Sequence, residues 1–224
     1  MAGTLADMLT RIASELARSD LATQTRNAIS DAIAIYQKER FRFSESVPDA
    51  PKTFNTVAGR YIYTTADLGV IGTLMKIDYV LVNIGNTRIS LLKQPPENIK
   101  IYNQLGTMSG QPMWYGYEGN EMLIGPIPSQ AYAIEVCGFF RIAAPANDAE
   151  ADNPWMVDAE RLIRSRAKFE LATHVTRNPI MQAAMSPDPP APGQPMGASY
   201  REWRDLKAEA NRVTKLGRVK PMQF

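Results

Sequence analysis

The strongest constraint on this chain is that apolar stripes of helical period stand at both of its ends, while the stretch between them reads as strand. Leu5, Met8, Leu9, Ile12 and Leu16 recur at the spacing of one helix face. Thr4 with Asp7 three residues on has the form of a capping box. "RSD" at 18–20 interrupts the pattern, and Asp20 is placed to cap a second helix. There Leu21, Ala28, Ile29, Ala32, Ile33 and Tyr36 align, and the helix is expected to run to about Arg40. So short a connection predicts an αα-hairpin.

Near the other end, Asn153 followed by Pro154 is a favoured helix start. Ala159, Leu162, Ile163, Ala167 and Leu171 form the inner face of that helix, which is expected to end near "TRNP" at 176–179. "MSPDPPAPGQPMG" at 185–197 holds five prolines and reads as a semi-rigid spacer. A last helix opens with Ser199 and Glu202 at capping-box spacing and lines up Tyr200, Trp203, Leu206, Ala210 and Val213. None of these stripes can stay exposed, so helices from the two ends must pack together.

The middle of the chain changes period. "RYIYTT" and "KIDYVLVNIG" are β-branched and aromatic, and "GNTR" at 85–88 offers a tight turn. "WYGYEGNEMLIGPIP" at 114–128 reads as strand, turn and strand running into prolines. In "AYAIEVCGFFRI", Ile134, Val136 and Phe140 alternate against Glu135 and Cys137, the pattern of a half-buried strand. "DLGVIGTLMKI" at 67–77 fits loop or strand, and "QPPENIKIYNQLGTMSGQP" at 94–112 is a connection holding a short helical or strand piece. The expected class is α+β: an α-helical bundle built from both chain ends, with an inserted antiparallel β-rich domain and an extended C-terminal arm. The expected boundaries are a helical hairpin at 1–45, the β-rich insertion at 46–143, and the C-terminal part of the bundle at 144–182. A Pro-rich spacer at 183–198 and a C-terminal helix with a basic docking tail at 199–224 complete them.

Composition narrows the function classes. The 224 residues are 45% apolar and 21% charged with net charge +2, so no overall field points to nucleic acid or an anionic surface. The one cysteine, Cys137, leaves no internal disulfide and no CxxC metal site, and fits a reducing compartment. No apolar run approaches the roughly 18 residues that span a bilayer, and the charged first twenty residues lack a signal-peptide core. A chain made and folded in a cytosol, without membrane, is expected.

Catalytic patterns are weak. His174, the one histidine, lies mid-helix, and a thiol dyad would need it together with Cys137. GxSxG, Walker A and GxGxxG loops are absent. "NDAEAD" at 147–152 alternates carboxylates as a calcium loop begins, but lacks the central glycine and closing glutamate; it reads as a solvated loop. Glu118 and Glu121 flank the hairpin turn, where a glycosidase pair would need a defined separation and one raised pKa. The expectation is no catalytic residue, no metal site and no cofactor.

Two features remain as binding candidates. Trp114, Tyr115 and Tyr117, closed by Pro126 and Pro128, suit either hairpin packing or an interface, and less well a stacking platform for bases. Residues 201–224 carry seven Lys/Arg against three acids, Glu202, Asp205 and Glu209, and from 211 onward the charge is purely basic. Arg212, Lys215, Arg218 and Lys220, interleaved with Leu216, Val219, Met222 and Phe224, read either as a frayed terminus or as an arm that orders on an acidic groove.

"LADMLTRIASELARSDLATQTRNAISDAIAIYQKERFRFSES" resembles the opening of the adaptor (head-completion, head-to-tail connector) proteins of tailed bacteriophages. The proline- and aromatic-rich hairpin and the later "DAERLIRSRAKFELA" are similar to that family's middle region and later helix, in the same order, over about 1–178. The short-tailed phage type is the nearest in pattern. The "SPDPPAPGQP" spacer matches no part of it. The resemblance implies a non-enzymatic structural virion protein: a ring, typically of twelve copies, beneath the portal, extending the DNA channel and seating the next tail component. It implies as partners other copies of the chain, the portal, a tail nozzle or fibre protein, and double-stranded DNA passing without sequence-specific binding. The implied location is the virion neck, after assembly in the host cytoplasm, with the segment from about 198 reaching to the portal. The alternative is a DNA-binding accessory protein acting through the basic C-terminal helix and tail; a tail-borne cell-wall hydrolase using Glu118 or Glu121 is a third.

Overall fold

The first helix, α1 (Leu5–Leu16), starts where the sequence predicts, because the Thr4 hydroxyl accepts from the Asp7 N–H at 3.1 Å while the Asp7 carboxylate accepts from the Thr4 N–H at 3.2 Å. It stops at Ala17, which adopts a left-handed conformation with φ 50°. A computed structural model describes residues 3–46, 52–64, 73–104 and 109–216, the side chains of 212–216 excepted. The chain divides into two compact units, residues 44–141 and the combination of 1–43 with 142–224.

The discontinuous unit is helical. After α1 come α2 (Ala22–Tyr36), the short α4 (Pro154–Val157), α5 (Glu160–Glu170), α6 (Pro179–Met185) and α7 (Ala198–Leu216); α3 belongs to the other unit. A wider helical turn over Leu171–Val175 prolongs α5. Asn153 caps α4 as expected, its side-chain oxygen accepting from the Trp155 N–H at 3.1 Å. The helix α5 is the axis, packing against α1, α2, α6 and α7. Its stripe of Leu162, Ile163, Ala167 and Leu171 meets Met8, Ile12, Ile29, Ile33, Phe41 and Trp155, all at 1% exposure or less. Burying each larger aliphatic or aromatic chain here is worth about 1.5–3 kcal/mol, which is why residues some 150 positions apart share one core.

Several local expectations fail for identifiable reasons. Asp20 does not cap α2: both its carboxylate oxygens are held by Arg18 at 2.7 Å, and α2 begins without a side-chain cap. Nor does Ser199 form a capping box with Glu202. It lies inside α7, fully buried, with its hydroxyl 3.1 Å from the Tyr36 hydroxyl. The second helix ends at Tyr36 rather than near Arg40, because Phe41 must leave the helix to enter the core. The proline-rich connection is shorter than expected, since Asn178 caps a further helix with Pro179 at its first position. "NDAEAD" is not merely solvated: Asp148 holds Arg26 at 2.5 and 2.7 Å, and Glu150 accepts from the Ala146 N–H and from Asn153.

The other unit is β-rich. A five-stranded sheet runs β1 (Glu45–Ser46), β11 (Ala133–Phe140), β4 (Leu74–Ile84), β5 (Thr87–Ser90), with β2 (Lys52–Asn55) also pairing β11. A four-stranded sheet runs β3 (Ile62–Tyr63), β9 (Glu121–Gly125), β8 (Trp114–Glu118), β6 (Leu92–Lys93), and β7 (Ser109–Gly110) pairs β10 (Ile127–Pro128). Pairing is antiparallel except for β6–β8 and β7–β10. Val80, Val82, Ile134, Val136, Tyr63, Tyr115, Met122 and Ile124 form its core. The segment 94–112 supplies α3 (Pro96–Gln104), which lies on β8 and β9. Residues 67–72 of the ambiguous stretch fall outside the described residues, and Leu74 onward is strand.

The alternation in β11 does not make a half-buried strand. Glu135 and Cys137 are 2% and 1% exposed, as buried as the opposite face. The strand is central, and Asn83 donates to the Glu135 carboxylate at 2.6 Å while Arg88 stands 3.3 Å from it. Both partners meet the same carboxylate oxygen, Oε1, while Oε2 is buried without a hydrogen-bond partner among the described residues.

Candidate assembly surfaces

The 114–128 hairpin forms as expected: Trp114–Glu118 pairs with Glu121–Gly125 around Gly119 and Asn120, whose φ values of 55° and 67° match the two-residue turn that suits strand twist. Tyr115 is 3% exposed and Pro126 and Pro128 are buried, so these three cannot reach a partner. Ile127–Pro128 pairs in parallel with Ser109–Gly110. On the other face of the hairpin, Gly116 and Gly125 lack side chains where α3 sits. A β-carbon on Gly116 would stand 3.1 Å from the Ile99 side chain, and one on Gly125 3.2 Å from the Trp114 ring. Trp114 and Tyr117 are half-buried, and Trp114 tilts against Tyr102 with ring centres 5.3 Å apart. Tyr102, Leu92 and Met113 are about half exposed or more, giving this end of the unit an apolar rim.

The catalytic candidates are engaged otherwise. Glu118 pairs with Lys100 at 2.6 Å. His174 is exposed and stands 3.3 Å from the Glu170 carboxylate. Burial pushes the Cys137 thiol up, the wrong direction for a nucleophile. Among the described residues no group of three His, Cys, Asp or Glu is placed to hold a metal ion, and no helix is long and apolar enough to cross a membrane.

The C-terminal helix shows what the aromatic-basic motif "YQKERFRF" does. Tyr36 meets Ser199. Lys207 pairs with Glu39 at 2.5 Å, donates to the Arg40 carbonyl at 3.2 Å, and lies over the Phe41 ring at 5.2 Å and the Trp203 ring at 6.0 Å. Arg42 pairs with Glu209 at 2.8 Å. Phe41 and Phe43 stack at 5.3 Å, and both meet Trp155 edge-on. Through Ala210 the helix is therefore clasped to the segment just after α2. Sequence reasoning counted Lys207 only as tail charge. The signal was its i, i+4 spacing from Trp203, which puts an ammonium beside an indole.

Of the tail candidates, Arg212, Lys215 and Leu216 lie on the last turns of α7, with their side chains outside the described residues. Arg218, Val219, Lys220, Met222 and Phe224 also lie outside them.

No curated protein matches this sequence. A family model does, that of the SU10 adaptor protein, over residues 3–213. With a match across nearly its whole length, and an α+β architecture whose helical unit draws on both ends, the chain belongs to the SU10 adaptor protein family of phage structural adaptors.

Proposed function

We propose that this chain forms the adaptor ring between portal and tail of a tailed phage, in about twelve copies, extending the DNA channel and seating the next tail component. The observation that carries the proposal is the family match over residues 3–213, which spans both units and the clasped α7. The clasp supports a specific division of labour. The helical unit forms the ring wall, because its core already binds α7 as far as Ala210. The segment beyond Ala210, with Arg212, Lys215, Leu216, Arg218, Val219, Lys220, Met222 and Phe224, mixes cations with spaced apolar anchors and docks on an acidic groove of the portal. In the β-rich unit, Trp114 and Tyr117 with the exposed Tyr102, Leu92 and Met113 meet the tail nozzle or fibre protein. A ring closes by heterologous contacts, so modest interfaces repeated around it give a stable whole. The near-neutral chain lets duplex DNA slide past without sequence-specific retention, and the protein resides in the virion neck after assembly in the host cytoplasm.

Electron microscopy of the purified chain mixed with the portal of its phage tests this. The expected image is a ring seated on the portal. A chain that stays monomeric and shows no portal affinity, with residues 212–224 intact, overturns it. So does duplex-DNA binding that disappears on neutralising Arg212, Lys215, Arg218 and Lys220 while portal assembly persists, which is the behaviour of a DNA-binding accessory protein.

A further inference from the structure

The helical unit contains a cavity of about 140 Å³ between α5, the end of α6 and the start of α7, and four of its eight lining residues are cationic. Arg161, Arg164, Ser165 and Lys168 enter it from α5 at i, i+3, i+4 and i+7, a single polar stripe. Ala198, Arg201 and Glu202 enter from the first turn of α7.

Not all of these charges are spoken for. Arg164 is held by Glu15 and by Glu160, and Lys168 by Glu15 at 2.7 Å. Arg161 and Arg201 are exposed guanidiniums on two different helices, with no hydrogen bond or ion pair among the described residues. Against them stands one carboxylate, Glu202. The backbone N–H of Ala198, the first residue of a nineteen-residue helix and part of the cavity lining, likewise has no acceptor among the described residues. It lies at the positive end of the helix dipole.

We propose that this cavity binds a phosphate-type oxyanion carrying about one negative charge. Two unpaired guanidiniums against one carboxylate leave a single positive charge to be matched. Donors arriving from two helices, one of them at its start, suit a tetrahedral anion with acceptors on several sides, more than a planar carboxylate with two. The volume, a few times the roughly 30 Å³ share of a water molecule, holds one such group. The oxyanion is either free phosphate or a phosphodiester of nucleic acid, and the two sources separate experimentally. The site involves none of the tail residues 212–224 and stands or falls independently of portal docking.

The test uses the full chain. Inorganic phosphate is titrated at constant ionic strength, with chloride as the control, and binding is read by calorimetry and by the rise in Tm. Phosphate is expected to bind and to raise Tm where chloride does not. Arg161→Met and Arg201→Met each weaken binding by roughly tenfold or more, as loss of a charge-assisted contact does. Glu202→Gln strengthens it, since the opposing charge is gone. Both arginines are exposed, so circular dichroism should show the two variants folded as the parent chain is. A short DNA duplex that competes with phosphate, and is lost in the Arg161/Arg201 double variant, identifies the phosphodiester as the source. Phosphate binding that the duplex leaves untouched identifies the free anion. Equal responses to phosphate and chloride, a double variant that binds phosphate undiminished, or acetate and an aspartate-rich peptide displacing phosphate at lower concentration, overturns the proposal.

Discussion

Trp155 lies within the helical unit and is hydrogen-bonded to Ile142, the first residue after the chain returns to that unit, and perturbing it measures how far the unit depends on joining distant segments. Its indole N–H donates to the Ile142 carbonyl at 3.1 Å, and Gln37, just past α2, donates to the same oxygen at 3.1 Å. The ring is 1% exposed and edge-on to Phe41 and Phe43 at 6.2 and 5.2 Å. Trp155→Phe keeps an aromatic ring in place but loses the donor and part of the volume, for about 1–2.5 kcal/mol. The carbonyl is still served by Gln37, so no orphaned acceptor adds to that figure. Gln37→Met alone leaves the indole donor in place and costs about 1 kcal/mol. With both changes the carbonyl loses both donors, and the pair should cost about 1–3 kcal/mol more than the sum of the singles. Urea unfolding followed by far-ultraviolet circular dichroism measures all four corners of this cycle. Additivity within about 0.5 kcal/mol refutes the reasoning: it would mean that water replaces the donors and that the shared acceptor does not join the segment after α2 to the one before α4.

Further expectations concern both units. Burial raises the Glu15 carboxyl, but its hydrogen bond and charge pairing with Lys168, together with Arg164, outweigh that and hold it below its ordinary 4.5. A depressed carboxylate contributes stability that is complete above the unfolded value and lost as pH falls through the folded one. Glu15→Gln should therefore flatten the fall in stability below about pH 4.5, in acid-unfolding curves, and lower stability at neutral pH. Gly138 sits at a bulge where a β-carbon would run into the Lys76 backbone carbonyl, so Gly138→Ala should cost about 1–3 kcal/mol or more as β4 and β11 part, seen as a lower Tm. Lys207→Met removes the ammonium from Glu39 while leaving its stem against Trp203; α7 should then show faster amide exchange from Ala198 onward, with α1 unchanged. Removing residues 212–224 should abolish assembly on the portal without lowering the Tm of the remaining chain.

Legible in the sequence was whatever depends on neighbours a few residues away. The Thr4–Asp7 box, the Asn153–Pro154 start, and the stripes Leu5–Met8–Ile12 and Leu162–Ile163–Ala167 come from helical period and capping chemistry, which act within one or two turns. The Glu118–Glu121 turn is local in the same way. The stripes also required that the two ends share a core, because neither could bury its apolar face alone.

Asp20 lost its capping role to a sequence neighbour, Arg18, but the tertiary structure decided the choices between distant partners. Ser199 had the chemistry of a capping box, yet Tyr36, from the other end of the chain, took its hydroxyl. Glu135 alternated as a surface residue should, yet it is buried, with Asn83 and Arg88 from neighbouring strands at its Oε1. Which donor reaches an acceptor, and which alternating residue faces water, depends on groups brought near only by the closed fold. Local sequence carries no term for them, and so the clasp on α7 and the cationic cavity beside it emerged only from the folded chain.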